Sequence, residues 1–92
     1  MPNFLTRVEL HGATDADYNT LHEDMGKRGF ARTIRSGDVQ YKLPTAEYEC
    51  STNLTCGQVR DVAIEAAKAT GRNHWVLTVE YVNSAWVLVP TA

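Results

Sequence analysis

Long apolar runs are missing from this chain. Nothing in it approaches the roughly 18 consecutive apolar residues of a membrane-spanning helix, so no membrane partner is expected. Cysteine is scarce: Cys50 and Cys56 are the only two. Their spacing fits no zinc pattern, and His11, His22 and His74 supply neither an HxxH nor an HxxxH pair. No metal and no cofactor are expected. The stretch MPNFLTRVEL lacks a basic region followed by an apolar one, which is unlike a secretory signal and points to a cytoplasmic setting with both thiols free. A phosphate-binding glycine loop is lacking too, as is any nucleophile motif among the Ser, His and Asp residues. There are no repeats, low-complexity tracts or linkers. With 43% hydrophobic and 22% charged residues in 92, the composition excludes disorder. It leaves room for one core, hence a single domain over residues 1–92.

What is present is periodicity of two kinds. Phe4 to His11 alternates, with Thr6, Val8 and Leu10 on one face and Leu5, Arg7, Glu9 and His11 on the other, which reads as a half-buried strand. Thr14 is a good N-cap, and Asp15 and Asp17 suit the positive end of a helix dipole. Tyr18, Leu21 and Met25 form that helix's apolar stripe, and Gly29 is placed to end it. Phe30 to Arg35 reads as a short strand, Ser36-Gly37-Asp38 as a turn, and Val39, Tyr41 and Leu43 as a return or edge piece before Pro44. Ala46, Tyr48 and Cys50 alternate in a clearer strand. Thr55-Cys56-Gly57-Gln58 is a capping box before a helix with Val59, Val62, Ala63, Ala66 and Ala67 on one side and Gly71 as its stop. His74 to Val82 is strongly β-prone, and Trp86 to Val89 is a candidate final strand. The order β-α-β-β-α-β, with a short added C-terminal strand, predicts an α+β, ferredoxin-like sandwich: one antiparallel sheet with two helices on one face.

Tyr18, Leu21, Met25 and Phe30, followed by Ala46-Glu47-Tyr48 and by Ser51-Thr52-Asn53-Leu54 leading into the second helix, make residues 4 to 82 resemble the GhoS-type antitoxins. These are small ferredoxin-like endoribonucleases of type V toxin–antitoxin systems, with relatives carried on phages. The resemblance implies the same fold and RNA as a partner. The arginine on which cleavage is thought to depend in that family falls on His22 here. Histidine, with an ordinary pKa of about 6.5, is the candidate catalytic group if the chain is a nuclease. A shared fold does not carry the chemistry, so the expected protein is a binder rather than an enzyme.

Charge is distributed unevenly. The chain has nine Lys and Arg against eleven Asp and Glu, a net charge of −2. Even so, GKRGFARTIR gathers Lys27, Arg28, Arg32 and Arg35 without an acid, and Lys42 falls across the following turn. These five are the candidate nucleic-acid or partner-binding residues. Helix-dipole compensation accounts for Lys27 and Arg28 alone. On the sheet, a parity that buries Val8, Tyr48 and Leu77 turns Glu9, Glu47, Glu49 and Glu80 outward, which would repel phosphate. Glu47 and Glu49 also have spacing suited to a hard cation, although a solvated charged face is the commoner use of such a pair. Trp75 and Trp86 are assigned to the core. Trp86 to Val89, apolar on both parities, is expected to be covered by the domain or by a second copy in a homodimer.

The function read from these features is a small non-enzymatic RNA- or ribonucleoprotein-binding module, of a kind suited to a phage-borne inhibitor of a CRISPR effector complex (an anti-CRISPR protein). The alternatives are a GhoS-like endoribonuclease that cleaves a toxin mRNA and a homo-oligomeric adaptor that binds no nucleic acid.

Overall fold

Strand β1 (Asn3–Leu10) follows its alternation: Phe4, Thr6, Val8 and Leu10 are buried, while Arg7 on the opposite face is exposed. The structure is a computed structural model describing residues 1–91; Ala92, the last residue of the expected domain, lies outside the described residues.

Helix α1 (Asp15–Lys27) begins in a reciprocal box. The Thr14 hydroxyl accepts the Asp17 N–H at 3.3 Å, and the Asp17 carboxylate accepts the Thr14 N–H at 2.9 Å. Two of the backbone donors orphaned at a helix start are thereby satisfied. Leu21 and Met25 are buried, and the half-buried Tyr18 takes the Leu10 N–H on its hydroxyl at 3.0 Å. Gly29, at φ +94°, follows the C-cap Arg28 in the left-handed conformation that ends helices. Helix α2 (Cys56–Ala69) repeats the device with Thr55 and Gln58, and it buries Val59, Ala63, Ala66 and Ala67.

The strands are antiparallel throughout but form two sheets. Strand β4 (Glu47–Ser51), β1 and β5 (His74–Tyr81) make a three-stranded sheet in the order β4-β1-β5. Strands β2 (Thr33–Ser36) and β3 (Val39–Lys42) make a separate hairpin. The single sheet expected from the sequence is therefore divided. Ala31 exchanges two 2.8 Å backbone bonds with Glu49, and beyond it the chain leaves the β4 edge. The cause lies in the side chains. Ile34 and Tyr41 are cross-strand partners on one hairpin face, and only there is the hairpin apolar. It turns that face toward the outer side of the sheet, where Ile34 and Leu43 line one pocket together with Leu5, Trp86 and Leu88.

The C-terminal segment is not the expected strand. It runs as a strap held to β3 by the Lys42 N–H to the Val89 carbonyl at 3.0 Å and by the Thr91 N–H to the Gln40 carbonyl at 2.9 Å. Trp86 and Leu88 are half-buried, with Trp86 edge-on to Tyr41 at 5.6 Å between ring centroids, whereas Val87 and Val89 are exposed.

One further expectation is corrected. The register pairs Val8 with Val76, Thr6 with Thr78 and Phe4 with Glu80, so these β5 residues take the helix-side parity. Trp75, Leu77 and Val79 face outward, 70%, 63% and 43% exposed. Trp75 is therefore not a core residue, Leu77 is not buried with Val8 and Tyr48, and Glu80 does not share the outer face. The alanines of α2 explain the inversion. A helix with Ala63, Ala66 and Ala67 toward the sheet packs closely, and small residues such as Val76 and Thr78 fit beneath it where an indole would not. The hydroxyls of Thr6 and Thr78, 2.9 Å apart, satisfy each other there.

Candidate nucleic-acid interface

The five basic residues fall into three settings. Lys27 and Arg28 stand at the C-terminal end of α1, one turn from acids: Lys27 Nζ is 3.4 Å from Glu23, and Arg28 Nε donates to Asp24 at 2.9 Å. These i,i+4 pairs and the helix dipole occupy both cations. Arg35 and Lys42 lie on the hairpin. Arg35 is paired with Gln40 and Thr33 with Lys42, so the two cations are diagonal neighbours on the face opposite Ile34 and Tyr41. Arg32, just before β2, lies near α1, close enough for its charge to act on His22 and Tyr48. All three are exposed, and among the described residues none of the three forms an ion pair.

His22 is half-buried, and its Nδ1 lies 2.6 Å from the Tyr48 hydroxyl, with Tyr18 tilted against the ring at 6.2 Å. Burial, and then the Arg32 charge, push the imidazole pKa below its ordinary value, so the ring is neutral at pH 7. Burial pushes Tyr48 up to about 12, partly offset by Arg32, so the phenol keeps its proton. A neutral imidazole can take that proton in a hydrogen bond at Nδ1. The bond has a structural role, since the Tyr48 ring is wholly buried and its hydroxyl needs a partner. With Nδ1 accepting from Tyr48, the ring proton sits on Nε2, so the imidazole presents an N–H rather than a free basic lone pair, with the Arg32 charge nearby. The Tyr18–His22 spacing was readable on α1 as i,i+4; Tyr48 and Arg32 come to the same place only through the fold.

The carboxylates are dispersed. Glu49 accepts the Tyr81 hydroxyl at 2.7 Å; burial, and then this bond, raise the Tyr81 pKa. Glu9 lies 3.3 Å from His11. Among the described residues, no group of three or more His, Cys, Asp or Glu side chains is arranged to hold a metal ion. A cleft of about 420 Å³ opens between the hairpin and the outer face of the three-stranded sheet, lined by Arg35 and Gln40 from the hairpin and by Glu49 and Tyr81 from the sheet. No helix among the described residues is long and apolar enough to cross a membrane.

Comparison with protein-family models, with curated proteins and with solved structures finds no match to this chain.

Proposed function

We propose that this chain is a small non-enzymatic RNA- or ribonucleoprotein-binding module that meets phosphate with its hairpin. The observation that carries this reading is the contrast within the basic stretch: Lys27 and Arg28 each stand beside an acid, Glu23 and Asp24, whereas Arg32, Arg35 and Lys42 are exposed without an ionic partner. Exposed cations without an ionic partner, two on the hairpin and one at its entry, are the footprint expected of phosphate contacts. The Ala31–Glu49 bridge supports treating the hairpin as the detached outer part of a ferredoxin-like sandwich in the GhoS-type manner. With the phage-borne members of that group in view, the cellular role proposed is inhibition of a CRISPR effector complex, the hairpin facing its nucleic acid.

The test is single-stranded RNA binding as a function of salt. Three phosphate contacts should give a slope of log affinity against log salt of about −2, from roughly −0.7 per contact. Arg32→Glu with Arg35→Glu should weaken binding at least about tenfold, whereas Lys27→Gln with Arg28→Gln should change it little. Wild-type affinity and salt dependence in the Arg32/Arg35 variant would refute the proposal.

A second reading, the GhoS-like endoribonuclease, is favoured by the neutral His22 beside Arg32 and Tyr48. The binding module predicts no RNA cleavage above background. Cleavage by the wild type that His22→Ala abolishes would establish the nuclease instead.

A further inference from the structure

Strand β5 is the edge of the three-stranded sheet and pairs only with β1, without a bulge, over eight successive residues. Its hydrogen-bonding parity follows from its neighbours. The Val8 N–H reaches the Ala46 carbonyl on the β4 side at 2.9 Å, and the His11 N–H reaches the Asn73 carbonyl on the β5 side at 2.8 Å. In an antiparallel ladder successive residues turn their N–H and C=O groups to opposite sides. Trp75, Leu77, Val79 and Tyr81 therefore bond to β1, and His74, Val76, Thr78 and Glu80 turn their backbone groups to the open edge. The one partner recorded there is the weak Cys56 S–H donor, 3.3 Å from the Thr78 carbonyl, which keeps a second lone pair.

Proteins usually blunt a long free edge with proline, lysine or a bulge; β5 has none of these. Instead it carries the outward row Trp75, Leu77 and Val79, the most exposed apolar stripe of the three-stranded sheet.

We propose that this edge pairs with the β5 of a second copy, antiparallel about a two-fold axis through Leu77, to give a continuous six-stranded sheet. The strand is self-complementary in that register. Val76 faces the partner's Thr78 and His74 faces the partner's Glu80, as the hydrogen-bonded pairs that the free backbone groups require. Leu77 faces the partner's Leu77 and Trp75 faces the partner's Val79 in the closer, non-hydrogen-bonded pairs. The apolar row thus meets itself on the outer face, and on the helix face a histidine meets a carboxylate. Each pairing recurs by symmetry, as an isologous interface demands. None of the hairpin cations belongs to the paired register, so the dimer does not depend on their role.

The area joined is small, so the dimer belongs to the weak, concentration-dependent class. Sedimentation equilibrium should show a mass rising toward twice the monomer's as concentration increases. Leu77→Lys, which sets two ammonium groups opposite each other on the axis, should raise the dissociation constant at least about tenfold. Leu77 is exposed, and an unchanged circular dichroism spectrum and melting temperature would establish that the variant folds. Register is tested by mild oxidation. Leu77→Cys should give a covalent dimer, because directly opposed residues fall within disulfide reach; Val79→Cys should not, because its opposite number is Trp75. Wild-type protein under the same oxidant controls for Cys50 and Cys56. A monomer at every concentration would overturn the proposal. So would a dimer indifferent to Leu77→Lys, or cross-linking at position 79 in preference to 77.

Discussion

Toward the β4 side of the sheet's outer face, the half-buried Leu5 lines a pocket shared with Ile34, Leu43, Trp86 and Leu88; on the β5 side, Trp75, Leu77 and Val79 stand open. The covered half is the less apolar of the two, since the outward row of β4 is Glu47, Glu49 and Ser51, so hydrophobicity alone does not decide which is covered. The difference lies in the backbone. The covering layer is a hairpin tied to β4 through Ala31 and Glu49 and to the strap through Lys42, Val89, Gln40 and Thr91. No segment of the described chain has such anchorage over β5. Neither half resembles the helix-side core, where Phe4, Val8, Leu21, Met25 and Tyr48 are entirely buried. The molecule thus has one core that determines whether it folds and one thinner layer that determines where the basic hairpin sits.

The largest effect expected is on the helix side. Phe4→Ala should cost about 3–5 kcal/mol, a large part of the roughly 5–15 kcal/mol that a domain possesses, and should be seen as a lower urea midpoint or outright unfolding. A loss below about 1 kcal/mol would mean that this core is not the main one. Trp86→Ala removes only a half-buried ring and should cost less, about 1–2 kcal/mol. Its distinguishing mark is local: the Lys42 amide should exchange with solvent faster while the Val8 amide stays protected. Equal acceleration of both would merge the two layers into one cooperative unit.

Tyr48→Phe deletes the hydroxyl that meets His22 and should cost about 1 kcal/mol. The same contact sets a pH dependence. The folded-state pKa of His22 lies below its ordinary value of about 6.5, so the unfolded chain takes up a proton that the folded chain resists. Stability should therefore fall as pH drops from about 6.5 toward the lower folded value, and it should be unaffected by this group above that range. His22→Gln should remove that slope from the urea midpoints. The smallest effect should come from the open half of the outer face. Trp75→Ser, at concentrations too low for self-association, should change stability by no more than about 0.5 kcal/mol. A larger loss would show that Trp75 is covered.

Much of this was legible in the sequence. Thr14, and Thr55 with Gln58, marked both helix starts, Gly29 and Gly71 marked their stops, and both glycines adopt positive φ. The alternation of β1 gave its buried face directly. The parity of β5 did not follow from its sequence, because the strand is apolar in both rows and the bulkier row looks like the core. The correct row is selected by the alanines of α2, a packing condition between segments that no single strand displays. The hairpin's departure from the sheet was hidden for a related reason: Ile34 and Tyr41 fit either a fifth strand or a separate flap. For the candidate site, the basic residues were countable, but their division into paired and unpaired ones depended on where Glu23 and Asp24 project. The meeting of His22 with Tyr48 joins residues 26 positions apart.

The strap also has a consequence for order of assembly. Residues 86 to 91 hold the hairpin against the sheet, yet they are synthesised after every strand and both helices. At roughly 5–20 residues per second, the interval between the appearance of β3 and that of Val89 is on the order of several seconds. During that time α1, β1 and β4 can begin to collapse, while the hairpin with its cations is held only at its base, by the Ala31–Glu49 bridge. The basic element thus gains its second anchor only when the strap has been made.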